Sequence, residues 1–324
     1  MKFTATASAH PNIAFIKYWG NRDDNPHLPA NSSLSMNLEG LTTTTTVCFD
    51  ERLKSDVLIL NKEGITGEGF QRVHKFLNHI RQLASKSTYA QLESVNNFPT
   101  GAGLASSASA YAALALAATR ALGLELTEKE LSRLARRGSG SACRSVPAGF
   151  VEWQAGEDDS DSYAFSIASP EHWGLVDCIA LVNRSHKKFS SWQGHRLAAT
   201  SPLQSARVKD CQRRLRLCKE AILEKDFKKF AEVVELDSNL LHAVMMSSQP
   251  ALLYWEPATI EIMKAVIYWR ETGLAVCYTL DAGPNVHVIC RSSLKDETKE
   301  RLLNLRGVKD VIAAKPGGGV KLIE

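Results

Sequence analysis

Residues 104–124, LASSASAYAALALAATRALGL, are the feature that most limits what this chain can fold into. The run is dominated by alanine, the strongest helix former, so it reads as a helix whose small side chains let it lie close to a sheet. Overlapping its start is PTGAGLASSA, residues 99–108. There Pro99, Gly101, Ala102, Gly103, Leu104 and Ala105 let the backbone approach a ligand with successive N–H groups turned inward. The positive N-terminal end of the alanine helix meets the same spot, and the combination reads as a phosphate cradle. No G-K-[ST] follows, so it is not a Walker A loop; Ser106 and Ser107 would supply the hydroxyls for phosphate oxygens or a magnesium ion. Alone, the stretch also fits a glycine-rich turn leading into a buried helix.

Around that helix, strand and helix patterns alternate. Residues 34–49, LSMNLEGLTTTTTVCF, predict paired strands turning at Glu39-Gly40. From Phe70, the spacing of Val73, Phe76, Leu77, Ile80 and Leu83 predicts an amphipathic helix. Thr127 and Glu130 form a capping box for a short helix through Leu131, Leu134 and Ala135, which Gly138 stops. Strand-like segments near 148–153 and 176–183 lead into helices over 203–224, 226–246 and 256–272, the last opening at Glu256-Pro257 and ending at Gly273. Two strands, LAVCYTL and VHVICR, then flank Asp281-Ala282-Gly283-Pro284. No internal repeat or low-complexity linker is present. This order implies an α+β protein of two joined lobes, residues 1–185 and 186–324.

Composition narrows the partners. With 324 residues, 44% apolar and 23% charged, the chain is an ordinary soluble globular mixture. A formal charge of +4 is mild, and the runs Arg133-Arg136-Arg137 and Arg213-Arg214-Arg216 read as helix faces, which argues against nucleic acid and leaves anionic small molecules. Seven cysteines, odd in number and without a C-x-x-C pair, fit neither a disulfide framework nor a metal site, and point to a reducing cytoplasm. No signal-like apolar segment opens the chain and no apolar run nears the ~18 residues of a membrane span.

Three further stretches carry chemistry. In RRGSGSACRS, residues 136–145, Ser139, Gly140 and Ser141 offer hydroxyls and free amides, and Arg144 a fork of donors suited to a carboxylate or phosphate. A polar loop with a surface arginine is the plainer reading. In TLDAGPN, residues 279–285, Asp281 is either a turn-former or a general base projected into a cleft. In IKYWGNRDDN, residues 16–25, Lys17 is the candidate cation that sets the protonation of Asp281, and Tyr18-Trp19 reads as an exposed aromatic pair before Gly20.

Together with NIAFIKYWG, NSSLS and GFVEW, these stretches resemble the diphosphomevalonate decarboxylases of the GHMP kinase superfamily, collinearly from residue 12 to 285. KYWG together with GSGSACRS is highly specific; PTGAGLASSA alone would indicate only the superfamily. The resemblance implies the GHMP fold with its active site in the cleft between the lobes, and an enzyme that uses Mg-ATP to phosphorylate the tertiary 3-hydroxyl of a phosphorylated mevalonate. Loss of that phosphate and of carbon dioxide follows. It implies Asp281 as the base, Lys17 as the cation that keeps it ionised, and Arg144 as the grip on the substrate carboxylate. Ser106 and Ser107 match nucleotide-phosphate serines; Tyr18, Trp19, Gly20, Ser139, Gly140, Ser141 and Ser191 fall on or beside substrate contacts. Homodimers are frequent in the family. His242 and His186 match or adjoin family positions but have no second ligand at helical spacing, so they read as structural or surface histidines.

Two departures bear on the substrate. The family usually carries lysine after K-Y-W-G and arginine after the serine at 191, both associated with the terminal phosphate; here stand Asn21 and Trp192. Losing two charge-assisted hydrogen bonds costs about 3–6 kcal/mol if additive. His195, in a usually apolar position, could meet a single phosphate as a partial cation. The departures therefore favour mevalonate 5-phosphate, giving isopentenyl phosphate. The alternative is mevalonate 5-diphosphate, with Arg22, Lys187, Lys188 or Arg196 supplying the missing charge. A GHMP kinase without decarboxylation is a further alternative, disfavoured because such a kinase need not clamp a carboxylate beside the reacting carbon.

Overall fold

The computed structural model describes residues 2–98, 106–183 and 190–323. Its N-terminal half is mostly strand: β1 (Lys2–Ala9), β2 (Asn12–Ile16), the short β3 (Asn21–Asp23) and β4 (Leu28–Pro29), β5 (Ser33–Glu39), β6 (Thr43–Asp50), β7 (Val57–Leu60) and β8 (Glu63–Gly64). Helix α1 (Gly67–Leu83), β9 (Ala90–Asn96), α2 (Ser106–Ala121) and α3 (Glu128–Gly138) follow, then a 3-10 turn over Gly140–Ser145, β10 (Phe150–Trp153), β11 (Ala164–Ala168) and β12 (Leu175–Leu181). The next block is helical: α4 (Ser191–Leu197), α5 (Gln204–Lys209), α6 (Cys211–Glu224), α7 (Phe227–Met246) and α8 (Pro257–Glu271). β13 (Val276–Thr279), β14 (Val286–Arg291), α9 (Lys295–Leu303), β15 (Asp310–Pro316) and β16 (Lys321–Ile323) complete it.

Small side chains set the first layer. Helix α2 lies on β1 and β6, with Ala112, Ala113, Ala115, Ala117 and Ala118 buried against Ala7, Ala9, Val47 and Phe49. The sheet beneath it runs β16-β1-β6-β9-β7-β8. The second sheet runs β11-β10-β5-β15-β12-β14-β13, with β2 also paired to β5, so strands from both ends of the sequence share one layer. Helix α7 packs on β2 and β13 of that sheet, joining Phe230 edge-on to Phe15 at a centroid distance of 4.8 Å. The lobe boundary expected near residue 185 lies outside the described residues, just beyond β12.

Several expectations change. The strands over 34–49 form and Gly40 turns between them at φ +95°, but they do not pair. β5 joins the second sheet and β6 the first. Burial explains this: β5 is buried on both faces from Ser33 to Leu38 whereas β6 alternates, and period-two alternation identifies a strand without naming its partner. The helix expected over 203–224 is two, interrupted at Asp210, whose carboxylate accepts from Arg213 Nε and Arg214 Nη1 at 2.7 Å each. The Thr127–Glu130 capping box is present. Gly138, however, is needed for close approach: a β-carbon there would fall 2.0 Å from Tyr111 Cδ1. All seven cysteines are free, and among the described residues no helix is long and apolar enough to cross a membrane.

Gly138→Ala is therefore expected to destabilise the fold by about 1–3 kcal/mol through overpacking between α2 and α3. A urea midpoint equal to wild type would contradict this.

Candidate active site

Strand β2 ends in a register irregularity between Ala14 and Ile16, a local bend that re-aims the residue after it. That residue is Lys17, whose side chain is almost fully buried. Its Nζ donates to Asp281 Oδ1 at 2.7 Å. Asp281 leaves the end of β13 on a turn tied down from outside: Leu280 N–H donates to Ser238 Oγ at 2.9 Å, Thr259 Oγ1 to the Pro284 carbonyl at 2.7 Å, and Val182 N–H to Asn285 Oδ1 at 2.8 Å. Other groups build the turn, and the Asp281 carboxylate is committed to the lysine.

Electrostatics follow from burial opposed by charge. Burial pushes the Asp281 carboxyl up, but Lys17, with help from His287 and Arg144, more than offsets it and holds the group below its ordinary value. Burial pulls the Lys17 amine down, while Asp281 and Asp237 oppose that pull. The side chain of Asp281 keeps 29% of its exposure against 2% for Lys17, so the carboxylate is the member of the pair that a ligand can reach.

Arg144 sits in the 3-10 turn after α3 and is buried, with its guanidinium 5.9 Å from the Trp153 ring centroid. It donates to Ser33 Oγ at 2.7 Å and to Asn12 Oδ1 at 3.1 and 3.2 Å. Asn12 cannot turn away, because its Nδ2 donates to Ser145 Oγ at 2.8 Å. Among the described residues Arg144 makes no ion pair, so a buried guanidinium is oriented by neutral acceptors with its charge left for an anion. Its field reaches both Lys17 and Asp281.

Tyr18 forms the next wall. Its ring meets Trp153 at 4.7 Å and stacks on His195 at 4.1 Å, and Gly140 is small because a β-carbon there would lie 2.6 Å from the Tyr18 hydroxyl. That hydroxyl donates to Asn21 Oδ1 at 2.5 Å, and Asn21 Nδ2 donates to Asp24 Oδ1 at 2.9 Å. Contrary to the sequence reading, Trp19 is only 2% exposed, packed with Leu241, Val244, Met245 and Leu252 beneath α4. Gly20 takes φ +86°, in the left-handed region that favours glycine. Its N–H donates to His195 Nδ1 at 3.0 Å, which makes that nitrogen an acceptor. Burial pushes the imidazole down to about 3, so the partial-cation role expected for His195 is corrected: it is a neutral ring in the wall. Trp192 is 38% exposed, and Arg196 stands 5.3 Å over its ring and 3.9 Å from Asp24.

The remaining expected residues divide in two. Ser107 Oγ lies 3.3 Å from Ser139 Oγ, which joins the N-terminus of α2 to the residue before the Gly140–Ser145 turn, with Ser106 opening the helix and Ser141 in the turn. Pro99, Gly101, Ala102, Gly103, Leu104 and Ala105 lie outside the described residues, as do His186, Lys187 and Lys188, and so do the side-chain surroundings of Ser191. Among the described residues no cluster of three His, Cys, Asp or Glu could hold a metal. Sequence reasoning missed Asn12 and Ser33, the acceptors that orient Arg144, and Asp237, which accepts from Lys17 N–H at 2.7 Å. Asp237 did leave a signal: it occupies the apolar stripe Val233, Val234, Leu241, Val244 of α7, where a charge needs a partner.

A lysine–aspartate pair beside a clamped arginine, at the foot of an alanine helix on a two-sheet α+β frame, defines a GHMP-type enzyme. Residues 9–164 match the family model "Diphosphomevalonate decarboxylase-like N-terminal domain", and residues 178–316 match "Mevalonate 5-diphosphate decarboxylase C-terminal domain". The diphosphomevalonate decarboxylase of Candida albicans is 38% identical over 313 residues, covering 91% of this chain and 86% of the relative. The mevalonate diphosphate decarboxylase structure from Staphylococcus aureus superposes with a TM-score of 0.96 at 38% identity, over 100% of this chain and 99% of that one. A structure described as MDDEF in complex with MVAPP, AMPPCP and magnesium matches with a TM-score of 0.94 at 38% identity over 100% of both chains. This chain belongs to the diphosphomevalonate decarboxylase family.

Lys17→Gln removes the charge that outweighs burial at Asp281, so the Asp281 carboxyl is expected to titrate at higher pH than in wild type, read by carboxyl 13C NMR. An unmoved titration would contradict the pairing.

Proposed function

We propose that the protein catalyses ATP-dependent decarboxylation of mevalonate 5-diphosphate, giving isopentenyl diphosphate, ADP, phosphate and carbon dioxide. The observation that carries the chemistry is the 2.7 Å contact between Lys17 and the reachable carboxylate of Asp281, with Arg144 held nearby. A tertiary alcohol is a weak nucleophile, so Asp281 takes its proton while the oxygen attacks the γ-phosphorus of ATP. Lys17 keeps Asp281 anionic beforehand and offsets charge on the transferring group. Arg144 grips the substrate carboxylate and aligns its C–C bond with the departing phosphate. The C–O bond then breaks with its electrons leaving on phosphate, while the pair from the carboxylate C–C bond forms the alkene and releases carbon dioxide.

Magnesium supplies charge neutralisation on the nucleotide phosphates. For this, Ser106 and Ser107 stand at the start of α2, where hydroxyls and the helix end suit phosphate oxygens. Homodimeric assembly, which rests on the resemblance, and a cytoplasmic location, which seven free cysteines suit, belong to the same proposal.

The diphosphate is favoured by the two family models and by relatives that carry that name. Arg196 supports it too, placing a guanidinium beside Trp192 where the family's arginine is missing. Mevalonate 5-phosphate remains a second reading for one specific reason. Asn21 brings no charge, its amide is bonded to Tyr18 and Asp24, and the Asp24 carboxylate on that side disfavours a further phosphate.

Steady-state kinetics on both substrates decide between them. A higher kcat/KM for the diphosphate is expected, and a higher value for the monophosphate would overturn that choice. Asp281→Asn is expected to lower kcat by at least about 100-fold while ATP binding persists; near-normal turnover would sink the enzyme reading.

A further inference from the structure

Helix α7 reaches both members of the Lys17–Asp281 pair. Asp237, fully buried, accepts from the Lys17 backbone N–H through Oδ2 at 2.7 Å and from Arg214 Nε through Oδ1 at 2.7 Å. The next residue, Ser238, accepts from Leu280 N–H, immediately before Asp281. Glu235 accepts from Tyr278 N–H at 3.1 Å on the same strand. One turn onward stands buried His242, its ring 5.0 Å from that of Trp255. On the opposite side of Lys17, its carbonyl accepts from Asn31 Nδ2 at 2.9 Å and Arg207 Nη2 at 2.6 Å. One helix thus sets the separation between two segments 264 residues apart.

We infer that Asp237 is a positioning residue for the reaction: it fixes the Lys17 backbone and is the anion that keeps the Lys17 amine charged once Asp281 has taken the substrate's proton. The inference rests on the reading under Proposed function, in which Asp281 is neutralised in the same step that needs a cation at Lys17. A purely structural partner for Arg214 would explain less. Arg214 already has Asp210 at 2.7 Å and the Arg207 carbonyl at 2.9 Å, and the second oxygen of Asp237 goes to the Lys17 backbone N–H. Keeping a carboxylate fully buried costs free energy that an apolar residue on this helix face would avoid.

The groups facing the Lys17 amine are Asp281 from the β13 turn, Asp237 and His242 from α7 and Arg144 from the 3-10 turn. Those facing Asp237 are Arg207 from α5, Cys211, Arg214 and Cys218 from α6, and Lys17 just after β2. Removing the anion at 237 lowers the proton affinity of the amine, so Lys17 loses its proton at lower pH.

The test uses the full chain as D237N/R214Q, which replaces the buried ion pair with two neutral amides, while Asp210 keeps Arg213 at 2.7 Å. The expected result is a kcat about ten-fold below wild type, with KM for ATP and for the phosphorylated mevalonate within about two-fold. The alkaline limb of kcat is expected to move to lower pH. R214Q alone keeps the anion and is expected to leave that limb in place. A folded double variant with wild-type kcat and alkaline limb overturns the inference. If the double variant fails to fold, D237N alone decides, because Arg214 keeps Asp210 at 2.7 Å: a several-fold fall in kcat with the alkaline limb at lower pH supports the inference, and wild-type kcat and limb overturn it. Wild-type protein that releases no carbon dioxide with ATP sinks the functional reading; an active wild type with an indifferent double variant sinks this inference alone.

Discussion

The buried contact between Lys17 and Asp281 is the constraint that the rest of the structure serves. An ammonium withdrawn from water is tolerated only with an anion in contact. The fold therefore brings the end of β2 and the exit of β13 together from opposite ends of the chain. The second sheet, with strands from both halves, and helix α7, which lies across β2 and β13, are the means. Arg144 adds a second cation held by neutral acceptors, and the result is a small region that suits an anionic substrate with a hydroxyl to be deprotonated.

Much of this was legible in the sequence where local chemistry dictates local structure. Alanine composition placed α2, the Thr127–Glu130 pair placed α3, and the strand-like runs on either side of Asp281 placed its turn. The partnership of Lys17 with Asp281 was inferred from charge logic and resemblance, and the structure brings the two side chains into contact.

What was not legible depends on long-range packing. The β5 and β6 pattern is strand-like in either sheet, so alternation could not separate the two strands. Trp19 reads as exposed beside Tyr18 because its cover, Leu241 to Leu252 and α4, lies more than 170 residues away in sequence. The charge state of His195 depends on Gly20 N–H and on burial between two aromatic rings, neither visible locally. Helix α4 did have a local signal, the Ser190–Gln193 capping box, which sequence reading passed over.

The most direct measurement is a crystal structure of the protein with a 5-phosphorylated mevalonate and a non-hydrolysable ATP analogue. The account predicts the substrate 3-hydroxyl about 2.6–3.2 Å from an Asp281 carboxylate oxygen and the substrate carboxylate on the Arg144 guanidinium. A substrate seated with its hydroxyl out of reach of Asp281, or its carboxylate bound elsewhere, would contradict it.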